Sequence, residues 1–245
     1  MNKLKMVAFD MAGTTVQDNH EVEDCFAMAA KDCCIEMSEA EIKSVQGWSK
    51  KFVFETYWKT HYPENSPEFL DHVNVSYNCF KEILENHYQT QEVYPTEGCL
   101  EVFEWLRQNN IRIALTTGFY RKVTSIILNK LGWLDGLDTS YKRYNESAII
   151  DISVASDEVN KGRPAADMIF HCMRAFQIDD PKQVIAIGDT PSDIGSGKAA
   201  NCLSTIALSN GTHSAQQLEI HQPDIILQSL NELPNYLKSK GYLNI

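Results

Sequence analysis

Short apolar runs alternate with amphipathic stretches along most of the second half of the chain. Apolar runs of four to six residues bounded by polar or turn-forming residues are typical of buried strands. They predict six strands, at Leu4–Phe9, Ile111–Leu115, Ile149–Val154, Val184–Ile187, Leu203–Leu208 and Asp224–Leu227. Helical patterns lie between them, for example at Leu100–Gln108 and at about Tyr120–Leu131. This alternation predicts an α/β fold with a doubly wound, mostly parallel sheet.

Helical periodicity dominates from Glu21 to about Tyr88. Ser38-Glu39-Ala40-Glu41 has the form of a capping box, and Ser66-Pro67 places a cap residue before proline at the first helical position. Apolar or aromatic side chains then recur at three- and four-residue steps, at Phe69, His72, Val73, Tyr77, Phe80 and Leu84. We therefore predict a core domain of residues 1–18 and 92–245, and a helical cap domain of residues 19–91 inserted after the first strand.

Charge and composition exclude several classes of partner. The net charge of −11 repels nucleic acid and anionic lipid, so neither is expected to bind. The seven cysteines form no C-x-x-C pair and favour buried reduced thiols over a disulfide framework or a zinc site. Lys3 and Lys5 precede the apolar residues 6–9, but this stretch is too short for a signal peptide and soon meets Asp10. A cytoplasmic location is the default expectation.

Two polar motifs follow the first two predicted strands. Phe9-Asp10-Met11-Ala12-Gly13-Thr14-Thr15 begins with a carboxylate, which is either catalytic or a turn former. Ala114-Leu115-Thr116-Thr117-Gly118-Phe119 offers a small hydroxyl and a glycine N–H, which either bind phosphate or cap the next helix. In open α/β sheets, ligands bind at the carboxyl ends of the strands, where both motifs fall.

Two further motifs lie near later strands. Lys161-Gly162-Arg163-Pro164 contributes a guanidinium, which suits phosphate but could equally be a surface cation. Ile187-Gly188-Asp189-Thr190-Pro191-Ser192-Asp193 contributes two carboxylates, which fit a divalent cation together with Asp10 or, alternatively, an N-capped helix.

The order of a leading Asp, a hydroxyl, a cation and an acid pair resembles the haloacid dehalogenase superfamily over the whole chain. The resemblance implies a Rossmann-like core and a helical cap. It implies that Asp10 is the nucleophile, and that Mg²⁺ binds Asp10, the Ala12 carbonyl, Asp189 and Asp193. It implies that phosphate contacts Met11, Ala12, Thr117, Gly118 and Arg163, with Thr116 as second choice for the hydroxyl.

One position departs from most phosphatases of that superfamily. They carry a second Asp two residues after the nucleophile, and Ala12 stands there in this chain. General acid–base help is worth about 10²–10⁴ in rate, so its loss indicates a different leaving group. Asp-x-Ala-Gly-Thr-Thr resembles the corresponding motif of phosphonoacetaldehyde hydrolase (phosphonatase) and its relatives. These enzymes cleave a carbon–phosphorus bond, and a lysine of their cap forms a Schiff base with the substrate aldehyde. Gly47-Trp48-Ser49-Lys50 resembles the segment carrying that lysine, so Lys50 is the candidate; the alternative is a solvated lysine beside Lys51.

Other cap positions differ from the phosphonatase pattern: Gln46 stands for Met, Val53 for His and His20 for Cys. Three hypotheses follow. The first is a phosphonatase-like hydrolase of a small aldehyde phosphonate. The second is a phosphatase of a small ester such as phosphoglycolate or a sugar phosphate, with His20 as a weak candidate for the missing acid. The third is an inactive binding protein. Related phosphonatases pair through their caps, and the apolar cap stripe permits a homodimer here; the alternative is that the stripe forms the core of the helical bundle itself.

Overall fold

The computed structural model describes residues 3–45 and 48–243 of the chain. Its centre is a six-stranded parallel sheet with the order β3-β2-β1-β4-β5-β6. The strands are β1 Met6–Phe9, β2 Arg112–Thr116, β3 Ile152–Val154, β4 Val184–Gly188, β5 Ser204–Leu208 and β6 Ile225–Leu227. This is the strand order of doubly wound nucleotide-binding sheets, and the direction of strand addition reverses between β1 and β4. The predicted α/β fold is confirmed.

Ten α-helices are found among the described residues. They are α1 Glu21–Asp32, α2 Glu39–Ser44, α3 Lys50–Trp58, α4 Pro67–Thr90, α5 Cys99–Gln108, α6 Arg121–Lys130, α7 Asp167–Ala175, α8 Pro191–Ala199, α9 Ala215–Glu219 and α10 Leu233–Ser239. Short 3₁₀ turns occur at Ser156–Glu158, Pro181–Gln183 and Leu230–Glu232. None of the helices in this described part of the chain has the length and apolar character that a membrane span requires.

The central strand β1 is apolar on both faces because helices cover both. Val7 and Phe9 pack into the larger hydrophobic core, while Met6 and Ala8 pack into a second core on the opposite face. All four are essentially inaccessible to solvent. Parallel strands that are buried on both faces have continuous apolar sequences, so these strands could be predicted from the hydrophobic pattern.

Two predicted helix starts are present as expected. Ser38 caps α2 in a reciprocal capping box with Glu41, and Ser66 accepts the Phe69 N–H ahead of Pro67 at the start of α4. The third strand is shorter than predicted, covering 152–154 instead of 149–154. The carboxylate of Asp151 accepts the N–H of Ile113, which is a backbone donor of β2. A side chain therefore accepts this hydrogen bond directly before β3 begins.

The segment between β1 and α5 contains α1 to α4, and no strand lies in its described residues. Its interior is aromatic. The ring centroids of Phe26 and Phe54 lie 5.2 Å apart, and Phe80 lies 6.0 Å and 6.4 Å from them. The segment packs against α6, on the side of the molecule that contains the sheet. The hydroxyl of Tyr120, which directly precedes α6, donates to Glu85 of α4 at 2.9 Å. The division into a core domain and a cap domain stays a prediction.

Candidate active site

Three carboxylates converge at the carboxyl ends of β1 and β4. Asp10 directly follows β1, Asp189 directly follows β4, and Asp193 lies in the first turn of α8. Each offers an oxygen within 4.8 Å of the others, and all three residues are buried. The neighbouring parallel strands β1 and β4 end side by side at the switch point of the sheet, so the fold itself brings these residues together.

Asp193 is positioned by the start of α8. Its Oδ2 accepts the Thr190 hydroxyl at 2.6 Å and the Thr190 N–H at 3.0 Å, while Thr190 caps the Asp193 N–H in return. A side chain at Gly188 would place its Cβ 2.2 Å from Asp193 Cγ, so glycine is required there. The N-capped helix is therefore present, and Asp193 belongs to the acidic cluster as well, so the two alternatives raised for this motif do not exclude each other.

Asp189 is held from two sides. Thr14 donates to Oδ1 at 2.9 Å, and Thr212 donates to Oδ2 through its N–H at 2.7 Å and its hydroxyl at 2.8 Å. Burial and the nearby Asp193 carboxylate raise the pKa of Asp189 to about 6, against the lowering effect of these hydrogen bonds. Thr212 lies far along the chain after β5, and sequence reasoning did not find it.

Arg163 is buried within the cluster and is not a surface cation. Its Nη1 lies 2.5 Å from Oδ1 of Asp10 and 2.5 Å from Oδ1 of Asp193. Its Nη2 donates to the carbonyl and the hydroxyl of Thr116. Burial lowers the pKa of the guanidinium, but Asp193 and Asp10 outweigh this, so its pKa is raised and the charge is retained. Thr116 was the second choice for the hydroxyl that binds phosphate. In the structure, its carbonyl and hydroxyl accept hydrogen bonds from Arg163.

The cluster carries more negative charge than Arg163 can neutralise. Burial raises the pKa of Asp10 well above its ordinary value, and Asp193 and Asp189 raise it further while Arg163 opposes them. Oδ1 of Asp193 is buried without a well-oriented hydrogen bond among the described residues, despite its ion pair. Crowded carboxylate oxygens of this kind fit a hard divalent cation. The residues present can therefore form an acidic metal-binding cluster.

A pocket opens beside Asp10. The sheet side contributes Asp10, Ala12, Thr117, Gly118 and Arg163, as the sequence predicts for a site at the strand ends. Met11 is absent from the lining: its side chain is fully buried, and its carbonyl accepts the N–H groups of the loop that follows. Apolar and aromatic side chains form much of the remaining wall, at Val22, Trp48, Tyr77, Phe80, Phe119 and Tyr120.

Lys50 lines the same pocket, from the first turn of α3. The residue is only 7% exposed, so the alternative of a solvated lysine is wrong. Its Nζ donates to the Val45 carbonyl at 3.0 Å and lies 5.0 Å from the centroid of the Phe26 ring. Burial lowers the pKa of Lys50 to about 8, partly opposed by Asp18 and Glu23. Gly47 of the same motif and the preceding Gln46 lie outside the described residues.

Asp18 also lines the pocket, and the sequence analysis missed it. It precedes α1 in a polar stretch that carries no distinctive pattern, so only the folded arrangement distinguishes it from a loop carboxylate. The candidate from that stretch, His20, is exposed, lies 3.3 Å from Glu23 and is not among the pocket-lining residues, so its role as the source of the missing acid stays a prediction. Val53, which stands where the phosphonatase pattern has His, is buried in the hydrophobic core.

Comparison with known proteins identifies the relatives of this chain. The family model of haloacid dehalogenase-like hydrolases matches residues 4–201. A phosphonoacetaldehyde hydrolase of Latilactobacillus sakei is 32% identical over 172 residues, which are 67% of this chain and 58% of the relative. A phosphoglycolate phosphatase of Nitrosococcus oceani is 26% identical over 153 residues, covering 62% of this chain and 60% of the relative. The chain thus spans about three fifths of the length of these two curated relatives.

The fold has close counterparts among solved structures. A phosphonoacetaldehyde hydrolase like protein from Oleispira antarctica superposes with a TM-score of 0.73, at 16% identity, over 96% of this chain and 92% of that chain. At this identity the likeness supports the fold alone. The family match covers most of the chain and includes every member of the acidic cluster. The chain therefore belongs to the family of haloacid dehalogenase-like hydrolases.

Proposed function

We propose that this hydrolase cleaves the carbon–phosphorus bond of a small aldehyde phosphonate. The observation that carries the proposal is that the Lys50 amine and the Asp10 carboxylate line one pocket, with Lys50 buried in an aromatic wall. An amine at one end could form an imine with the aldehyde while the carboxylate attacks phosphorus at the other. The relatives named phosphonoacetaldehyde hydrolase support this choice of substrate.

The sheet side of the pocket would bind and activate the phosphorus end. Asp10 is proposed as the nucleophile, and Arg163, Thr117 and Gly118 as the groups that hold the phosphonyl oxygens, together with the backbone N–H groups of Met11 and Ala12. Arg163 would offset negative charge as the phosphorus moves towards Asp10. Asp10, the Ala12 carbonyl, Asp189 and Asp193 would hold Mg²⁺, which supplies electrostatic stabilisation of the transferring group when bound.

The properties of Lys50 suit imine chemistry. An amine must lose its proton before it can attack a carbonyl, and a pKa of about 8 leaves a useful neutral fraction near neutral pH. The imine then accepts the electron pair of the breaking carbon–phosphorus bond, and an enamine leaves. No proton is needed on this leaving group from a residue beside the nucleophile. The alanine at position 12 is consistent with such a reaction.

Residues 19–91 are proposed to act as a cap over the pocket. Trp48, Lys50, Tyr77 and Phe80 come from this segment, whereas Asp10 and Arg163 come from the sheet side. A division of labour follows, in which the sheet side handles phosphorus and the cap recognises the rest of the substrate. Pairing of two chains through this segment stays a prediction.

Imine trapping tests the proposal directly. The wild-type protein, Lys50→Met and Lys51→Met are each mixed with phosphonoacetaldehyde and sodium borohydride in the presence of Mg²⁺, and peptides are mapped by mass spectrometry. We expect a reduced adduct on Lys50 in the wild type and in Lys51→Met, and loss of phosphate release in Lys50→Met only. Absence of both the adduct and phosphate release in the wild type would refute the proposal.

A phosphatase acting on a small ester is the second candidate. The relative named phosphoglycolate phosphatase favours it, as does the replacement of His by the buried Val53 in the cap. A panel of phosphate esters, including phosphoglycolate and hexose phosphates, separates the two. Turnover of an ester, with no reaction of the aldehyde phosphonate, would decide for the phosphatase.

A further inference from the structure

One carboxyl side chain in the pocket has no part in the proposed reaction. Asp18 lies in the loop between β1 and α1 and lines the pocket together with Asp10 and Lys50. Its Oδ1 is buried and has no hydrogen-bond partner among the residues that the structure describes. A buried carboxyl oxygen left without a partner is costly unless a ligand satisfies it, so its place in a substrate pocket indicates a contact with substrate.

The surroundings of Asp18 favour its protonated form. Burial is the main cause, and the Glu21 carboxylate adds to it both as a hydrogen-bond partner and as a negative charge. Asp189 contributes a further negative charge, while the Val22 N–H acts in the opposite direction. Together they raise the pKa of Asp18 to about 8, so the carboxyl keeps its proton at neutral pH and can donate it.

Asp18 lines the same pocket as Lys50 and lies close enough for the charges of the two groups to interact. The carboxylates that influence Lys50 are Asp18 and Glu23, and of these two only Asp18 lines the pocket. At Asp10 the dominant charged groups are Arg163 and Asp193, while Asp189 acts on both Asp10 and Asp18. Other titratable groups near Asp18 are Cys25 on α1 and Tyr88 on α4, and burial raises the pKa of both, so they stay neutral.

We propose that Asp18 is the acid that protonates the aldehyde oxygen when the Lys50 amine forms its imine. The inference rests on the proposed function and deepens it. The nitrogen lone pair forms the carbon–nitrogen bond, and the carbonyl electron pair moves to oxygen. That oxygen departs as water after taking one proton from Asp18 and one from the nitrogen. The products are a protonated imine on Lys50, one water molecule and the Asp18 carboxylate, so atoms and charge balance.

The carboxylate formed in this step lines the same pocket as the new cation. An anion there stabilises the protonated imine, which is the form that best accepts electrons from the carbon–phosphorus bond. The chain would thus place its acid at the aldehyde, where imine formation needs a proton. The position beside the nucleophile, where a carbon leaving group needs none, is left as Ala12.

The test follows the pH dependence of imine trapping. Rates of borohydride-trapped adduct formation on Lys50 with phosphonoacetaldehyde are measured from pH 6 to 10 in the wild type, Asp18→Asn and Glu23→Gln. Glu23→Gln is the matched control, because it removes the other carboxylate that influences Lys50 without altering the pocket wall. The wild type should show a rate that rises and then falls around pH 8, since the amine must be neutral and the acid protonated.

In Asp18→Asn the maximal rate should fall by about 10²-fold or more, and the falling limb above pH 8 should disappear. Glu23→Gln should keep both limbs. Asp18→Ser removes the same carboxyl and provides a second variant if the Asn protein does not fold. An unchanged rate and profile in these variants, with Lys50 still labelled, would overturn the role of Asp18 and leave the proposed function standing. Absence of label in the wild type at every pH would instead refute the proposed function.

Discussion

The guanidinium of Arg163 and the carboxylate of Asp10 meet in the protein interior, with 2.5 Å between Nη1 and Oδ1. Both side chains are almost completely buried, at 2% and 7% exposure. A buried ion pair gains little over an apolar pair of the same shape, but removing one partner leaves a charge without compensation. This asymmetry makes Arg163 a structural requirement of the site as well as a candidate ligand for phosphorus oxygens.

Arg163→Met should therefore destabilise the metal-free protein by about 3–5 kcal/mol. The Asp10 and Asp193 carboxylates would then face each other without a cation. Urea denaturation in EDTA measures the change in the free energy of unfolding. Arg174→Met, which alters an exposed arginine on α7, should have little effect. Adding Asp193→Asn to Arg163→Met should recover part of the loss, and a double variant as unstable as the single one would contradict the argument.

Divalent metal should stabilise the fold through the acidic cluster. Mg²⁺ that binds the folded state alone raises the melting temperature with the logarithm of its concentration. We expect this rise in the wild type and its loss in Asp189→Asn, which removes a charged donor from the centre of the cluster. Asp32→Asn, an exposed carboxylate at the end of α1, serves as control and should respond like the wild type. An equal response of Asp189→Asn would place the metal elsewhere.

Burial of Lys50 should lower the free energy of unfolding by an amount that depends on pH. With a pKa of about 8 in the folded state and 10.5 in the unfolded chain, the folded state binds fewer protons between these values. The contribution to stability therefore rises with pH over this window, and the full cost, at most about 3 kcal/mol, is present below pH 8. Lys50→Met should raise the free energy of unfolding at pH 7, with a gain that shrinks towards pH 10.5.

Lys51→Met gives the comparison for this measurement, because Lys51 is the exposed neighbour on the same helix. The difference between the two variants isolates burial from the loss of a lysine. A gain for Lys50→Met that is the same at pH 7 and pH 10.5 would mean that the Lys50 amine is not destabilised by burial.

Ala12→Asp should move the specificity towards phosphate esters. The residue lines the pocket two positions after Asp10, where a carboxyl could protonate a departing oxygen. The kcat/KM for an alkyl ester such as glycerol phosphate should rise by about 10²-fold. The value for p-nitrophenyl phosphate should change less, because that leaving group departs without a proton. Equal gains on the two esters would argue against acid catalysis from this position.

Much of the site followed from local pattern. Asp10 and Asp189 each end an apolar run, and the carboxyl ends of neighbouring parallel strands must lie at one edge of the sheet. That rule alone brings two distant carboxylates together. Asp193 could be added because it falls in the first turn of the helix after Asp189. The bounds of the strands were harder to predict, and β3 is shorter than expected. A single side chain such as Asp151 can accept a hydrogen bond in place of a backbone carbonyl, and the hydrophobic pattern does not show this.

The chain's own sequence determined the order of its strands and helices and the residues at the strand ends, because backbone periodicity and turn residues act locally. Only the tertiary structure decided that Lys50 is buried, that Asp18 faces the pocket and that Thr212 holds Asp189. Whether a lone polar side chain is solvated or enclosed depends on which distant segments pack around it. No spacing of residues along the chain specifies that packing.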